Sequence, residues 1–267
     1  MRNCLIVGII TVLAFAQNAC AQSRGTVKKK RTTETAVIDS AQWRKVNNIV
    51  NRDSAYANPY YGIQKLKGGN QRFQLSKSIY PRQDPALIKQ LSEGQLPFAT
   101  IVGCSDSRVS SEILFDQGFG DLFVSRTAGQ VMAQATYGTI EYAYLILGTK
   151  LIVVLGHSSC GAVDAAIKRP EAPPGHIVSL INAIKPAAIK VQKMQGDKLE
   201  NAVRQNIINQ VMELRQLEPV LSRAYDRGEL LIVGAVYNLS TGMVEFLEET
   251  LQNLPPTQFS KNDITGL

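Results

Sequence analysis

Short apolar runs rich in β-branched residues recur along this 267-residue chain, with helical periodicity between them. Phe98–Gly103, Leu122–Arg126, Leu151–Leu155 and Leu230–Val236 have the length and side-chain type of buried strands. Strands alternating with helices predict an α/β fold: a central, mostly parallel β-sheet flanked by helices. A long helix is expected from Leu199 to Arg227, because Val203, Ile207, Val211, Leu214 and Leu217 fall on one face. Pro219 should kink it, since proline removes a helix donor and clashes with the preceding turn. Ser240-Thr241-Gly242 reads as a hairpin turn into a short last strand. No internal repeat or low-complexity tract interrupts this pattern.

The N-terminal part reads differently. Residues 1–21 have the make-up of a signal peptide: Arg2, an apolar core from Leu5 to Ala16, and Ala19-Cys20-Ala21 as a small-x-small cleavage pattern. Ala14-Phe15-Ala16 is an earlier candidate cut. A core of about a dozen residues is too short to cross a bilayer of about 30 Å, so no transmembrane segment is expected. Cys20 raises the alternative of a lipid-anchored N-terminus, although Gln17 and Asn18 stand where such sites want an apolar and a small residue. Either reading exports the chain, with the periplasm as the expected compartment. Residues 22–40 are polar and aperiodic, a flexible linker. A domain is expected over 41–254, opening with a helical arm over 41–61 that embraces a partner subunit, and 255–267 forms a tail.

Composition adds little beyond this. With 45% hydrophobic and 19% charged residues the chain is an ordinary globular one, and its formal net charge of +7 is modest. Part of that charge is the run Lys28-Lys29-Lys30-Arg31, which lacks interleaved aromatics, so no nucleic-acid partner is expected. Cysteine changes the picture more. Of Cys4, Cys20, Cys104 and Cys160, cleavage after Ala21 leaves only the last two, and in an oxidising compartment a lone pair suggests a disulfide.

The surroundings of those two cysteines suggest something else. Cys104 ends an apolar strand, and Asp106 and Arg108 follow at alternate positions in TIVGCSDSRVSSE, residues 100–112. In extended backbone, alternate side chains face one side. Cys160 follows another strand in LGHSSCGA, residues 155–162, where His157 and Cys160 can converge in a tight turn. Two parallel strands ending this way would place Cys104, His157 and Cys160 together at the carboxyl edge of a sheet, where α/β proteins build sites. Two thiolates and an imidazole with a fourth position open make a catalytic zinc set. A Cys104–Cys160 disulfide remains an alternative, though it leaves His157, Asp106 and Arg108 unexplained. A structural zinc would need a fourth ligand, and the remaining histidine, His176, lies in the loop APPGHIV. The Cys-x-x-x-Arg spacing is too short for a thiol phosphatase loop.

CSDSRV followed some fifty residues later by GHSSCGA resembles the β-class carbonic anhydrases. LKGGNQRF (66–73), LFVSRTAG (122–129), GTIEYAYLILG (138–148) and YNLSTGMVEFL (237–247) are similar to that family in the same order, over roughly residues 57–250. The resemblance implies reversible hydration of CO2 to bicarbonate and a proton by zinc-activated water, with one Zn2+ per subunit. It also implies a homodimer or a dimer of dimers with pockets at the subunit interface. Cys104, His157 and Cys160 would hold the zinc, and Asp106, latched by Arg108, would accept a proton and orient the nucleophile. Gln95 would donate to substrate oxygen, Phe123 and Tyr142 would line the pocket partly across the interface, and the Gly161 N–H would meet bicarbonate. Ile101 stands where some bacterial members carry the tryptophan of an inhibitory bicarbonate site, which implies the open subtype. Hydrolysis of carbon disulfide or carbonyl sulfide at the same site, or a non-catalytic binding module keeping the fold, are the alternatives.

Overall fold

The computed structural model describes residues 58–168, 173–257 and 259. The expected leader, the linker, residues 41–57 of the arm and most of the tail lie outside them. Residues 58–61 open the first helix. In α1 (Pro59–Gln74) the Asn58 side chain accepts a hydrogen bond from the Tyr60 N–H at 3.0 Å. Pro59 supplies a φ already suited to a first turn. A short α2 (Pro85–Leu91) starts the same way, with Asp84 as cap and proline first.

Then the alternation begins: β1 (Ala99–Cys104), α3 (Ser111–Leu114), β2 (Leu122–Thr127), α4 (Gln134–Leu145), β3 (Leu151–His157), α5 (Gly161–Lys168), α6 (Ile177–Lys190), α7 (Lys198–Arg215), α8 (Leu221–Asp226), β4 (Leu231–Tyr237), β5 (Val244–Phe246) and α9 (Glu248–Leu251). The sheet order is β2-β1-β3-β4-β5; the first four strands are parallel and β5 pairs antiparallel with β4. The expected Ser240-Thr241-Gly242 turn joins β4 to β5, with the Asn238 side chain accepting from the Ser240 and Thr241 amides and Gly242 at φ +76°.

β1, β3 and β4 are almost wholly apolar and buried because both faces of the sheet are covered there, whereas β2 turns polar at Ser125, Arg126 and Thr127. Val102, Ile152, Val154 and Ile232 point into a core with α5–α8, while Ile101, Val153, Leu155 and Val233 point into one with α1 and α3. On the first face α7 comes unusually close to the sheet. A Cβ built on Gly156 or on Gly234 would lie 2.6 Å from an atom of Ile207. These two glycines form the notch that seats the helix.

The helix expected over 199–227 is two helices. α7 ends at Arg215 and α8 starts at Leu221. Pro219 lies between them and breaks the run instead of kinking it, because its ring and missing N–H cannot be absorbed within the helix.

Candidate metal centre

The register puts the ends of three strands level. Gly103 of β1 pairs with Leu155 of β3, and His157 of β3 pairs with Tyr237 of β4. Cys104 is therefore the last residue of β1, one beyond its expected end, and His157 is the last of β3. Between His157 and Cys160, Ser159 takes φ +54°, a left-handed conformation that folds the turn back. The Cys160 sulfur receives the Ala162 and Val163 N–H groups of α5. One ligand atom from each of Cys104, His157 and Cys160 lies within 4.8 Å of the others, and all three residues are buried. Both cysteines are free thiols.

The chemistry of this trio fits zinc. His157 Nδ1 bonds the Ser158 carbonyl at 2.9 Å, so Nδ1 carries the proton and Nε2 offers its lone pair. That buried Nε2 has no hydrogen-bond partner. A buried orphan acceptor facing two sulfurs is costly unless a cation fills the space between them. As thiols alone the two cysteines compete for one proton. Hydrogen bonding with Cys160 holds Cys104 far below the usual thiol range, and the same bond together with burial pushes Cys160 well above it. Burial would push His157 down, but the proximity and charge of the Cys104 sulfur raise it. A tetrahedral dication with bonds of about 2.0–2.3 Å resolves all three at once.

Asp106 and Arg108 stand beside the trio. Arg108 Nε donates to Asp106 Oδ1 at 2.9 Å, Nη2 donates to Oδ2 at 2.8 Å, and the Arg108 amide adds a third bond at 3.0 Å. The guanidinium, more than any other group, holds the Asp106 carboxyl well below the usual carboxylate range. Such a carboxylate stays ionised near neutral pH and can still accept a hydrogen bond. Gly161 is the exposed first residue of α5, and a Cβ there would meet open space.

The other expected pocket residues sit elsewhere in the protomer. Gln95 is exposed and precedes β1, and Cys104 is the last residue of that strand. Phe123 pairs with Thr100, four residues before Cys104. Tyr142 on α4 is 46% exposed and in ring contact with Phe123, centroids 6.2 Å apart. Gln95 and Phe123 thus lie toward the amino ends of the strands, and Tyr142 packs on Phe123. As lining for this chain's own metal site they are misplaced, because a parallel strand carries its two ends to opposite edges of the sheet. Ile101 is fully buried in the core on the α1 face. His176 precedes α6 and is exposed.

Two further contributors had no such role assigned from sequence. Arg126 of β2 donates to the Cys104 carbonyl at 3.0 Å and to the Asp106 carbonyl at 2.7 Å, bracing the loop that carries the carboxylate. The Gly129 N–H donates to the Cys104 sulfur at 3.3 Å. Their shared signal was SRTAG, residues 125–129, directly after a strand.

Residues 99–244 match the family model described as carbonic anhydrase. The carbonic anhydrase of Mycolicibacterium smegmatis is 38% identical over 192 residues, covering 71% of this chain and 93% of that protein. Carbonic anhydrase 2 of Mycobacterium tuberculosis is 39% identical over 188 residues, 69% of this chain and 91% of that one. Among solved structures, that of the β-carbonic anhydrase CcaA aligns with a TM-score of 0.58 at 29% identity, over 73% of this chain and 98% of the other.

Proposed function

The chain belongs to the β-class carbonic anhydrases, and from that premise we propose how its own residues divide the work. The reaction is the reversible hydration of carbon dioxide to bicarbonate and a proton, with zinc as cofactor. Zinc bound here supplies the Lewis acidity that makes water a nucleophile near neutral pH. Cys104, His157 and Cys160 hold it. Asp106 accepts a hydrogen bond from the attacking water and so aims it, while Arg108 keeps the carboxylate from swinging onto the metal. The Gly161 N–H, at the start of α5, donates a hydrogen bond to a bicarbonate oxygen. The proton passes to solvent buffer, since one of the two histidines is in the metal trio and the other, His176, lies exposed before α6.

The working unit in this reading is a homodimer, in which Gln95, Phe123 and Tyr142 serve the partner's pocket. What supports it is their shared displacement from their own metal site together with the exposure of Tyr142 and the place of β2 as the outermost strand among the described residues. The protein works in the periplasm after removal of residues 1–21. Among the described residues no helix is long and apolar enough to cross a membrane.

One observation carries the catalytic reading: the two-point Arg108–Asp106 clamp beside a buried Cys104–His157–Cys160 trio. Stopped-flow CO2 hydration by the zinc-loaded protein tests it. Activity that is abolished in Cys160→Ser is expected, and a zinc-loaded protein inert towards CO2 would overturn it. For the dimer, mixing inactive Cys160→Ser with Gln95→Ala should restore activity in the mixed dimer. The absence of any gain on mixing would refute the exchange of pocket residues.

A further inference from the structure

Helix α7 carries an arrangement that its packing does not require. Its buried face bears Asn206 and Gln210, one turn apart and only 2% and 6% exposed. Both side-chain amides donate to the same atom, the Gly129 carbonyl oxygen, at 3.1 and 3.3 Å. Burying two amides in a helix–sheet interface is unfavourable unless they are well partnered. Here the partnering is incomplete, because the Gln210 Oε1 has no hydrogen-bond partner. A leucine at either position would fill such a face without leaving an orphan oxygen.

Gly129 in turn is the residue whose N–H donates to the Cys104 sulfur. It sits at φ +63°, and a Cβ there would lie 2.6 Å from the Ile184 side chain and 3.2 Å from Ala162. Packing of Ile184 and Ala162 against its Cα therefore limits how Gly129 can turn, and the two amides of α7 fix the peptide that follows it, so that the N–H of the preceding peptide is held in direction across a single residue.

We propose that Asn206 and Gln210 are positioning residues for the metal centre: by pinning the Gly129 carbonyl they aim its N–H at the Cys104 thiolate. A hydrogen bond to a coordinating thiolate withdraws electron density from sulfur. In a site whose two thiolates already offset the charge of the metal, that withdrawal restores part of its Lewis acidity. The inference rests on Cys104 being a metal ligand, and it concerns only what orients the donor to that sulfur.

The test uses the full-length protein with cobalt(II) in place of zinc, read by its sulfur-to-cobalt charge-transfer band, together with zinc affinity from chelator competition. Asn206→Leu should shift the band to longer wavelength, because a sulfur without its donor gives up an electron more easily. It should also weaken zinc binding by about tenfold or more, the usual effect of losing an outer partner. Gln205→Leu is the control: Gln205 is similarly buried on α7, but its amide donates to Asn209 and not to Gly129. It should leave both readouts unchanged. If Asn206→Leu does not fold, Gln210→Leu decides in its place. A folded variant with the parent band and parent zinc affinity would overturn the proposal and leave these amides a purely structural role. An unsubstituted protein that shows no such band would overturn the metal reading itself.

Discussion

Oδ2 of Asp106 lies 3.8 Å from Nε2 of His157, close enough that a small rotation would carry the carboxylate to the metal. Arg108 holds both carboxylate oxygens at once, and in the proposed mechanism this is what would keep the carboxylate off the metal. Arg108→Ala should therefore keep its zinc but lose activity by about 10²-fold or more, the scale on which a positioned acid–base partner usually acts. Arg108→Lys should rescue little, since an ammonium cannot grip two oxygens in one plane. Metal analysis together with stopped-flow hydration checks both variants. A zinc-replete Arg108→Ala enzyme with near-parental rate would show that the clamp is incidental.

The two thiols should behave in opposite ways with and without metal. With zinc bound, Cys104 and Cys160 are expected to resist alkylation and oxidation, being ligands as well as buried. Chelation followed by mild oxidant should join them, because the sulfurs already share a hydrogen bond. Mass spectrometry of the native holoprotein should show no Cys104–Cys160 bridge. A bridge found with zinc still bound would contradict the ligand assignment.

Much of this site can be read from local sequence, because each ligand sits at the end of an apolar run. Cys104 and His157 end β1 and β3, and Cys160 follows within one turn. The short spacing of Asp106 and Arg108 likewise keeps them together whatever the rest of the chain does. Gln95 shows where local sequence stops being informative about place. Nine residues before Cys104 sounds near, yet the intervening strand carries it to the other edge of the sheet. Asn206 and Gln210 were hidden for a different reason. They flank the apolar stripe of α7, and only the tertiary contact with Gly129 separates them from ordinary polar surface. LKGGNQRF was recognisable before its purpose was. Gly69 is needed because a Cβ there would lie 1.7 Å from the Phe115 carbonyl oxygen. The Asn70 side chain ties α1 to the Leu114 and Gly242 carbonyls and to the Val244 amide.

Acid should weaken the fold partly through Asp116, far from the metal. Burial would push its carboxyl up, but the bond from Arg72 and those from the Ile79 and Tyr80 amides bring it below the usual range. A carboxyl with a lower pKa when folded adds stability above its unfolded value near about 4, and loses it as pH falls through the folded value. Asp116→Asn should thus cost about 1–2 kcal/mol at pH 7, a figure reduced because Arg72 is partly solvated. The difference should shrink as pH drops below about 4. Urea unfolding at the two pH values measures it, and a gap that persists in acid would refute the assignment.

Proton release should depend on buffer. The chain has two histidines; His157 belongs to the metal trio, and His176 is exposed at the start of α6. Turnover at saturating CO2 is expected to climb with the concentration of an imidazole-type buffer and then level off. Rates that stay flat across buffer concentrations would reveal an internal relay.

The notch beneath α7 should behave as a coupled unit with the metal loop. A Cβ at Gly156 would meet Ile207 Cδ1 at 2.6 Å and Cγ1 at 2.7 Å, and the next residue is His157. Gly156→Ala is therefore an overpacking change, expected to cost about 1–3 kcal/mol and to displace the imidazole. Ile207→Ala opens a cavity instead, at about 2–5 kcal/mol. Each change supplies what the other lacks: the new methyl enters the space that the shortened side chain leaves. The double variant should consequently be more stable than the sum of the two losses predicts, by about 1 kcal/mol or more. Zinc affinity lost in Gly156→Ala should return in part with Ile207→Ala alongside it. Strict additivity in urea unfolding, with zinc binding untouched in either single variant, would mean that α7 rests on the sheet without setting the position of His157.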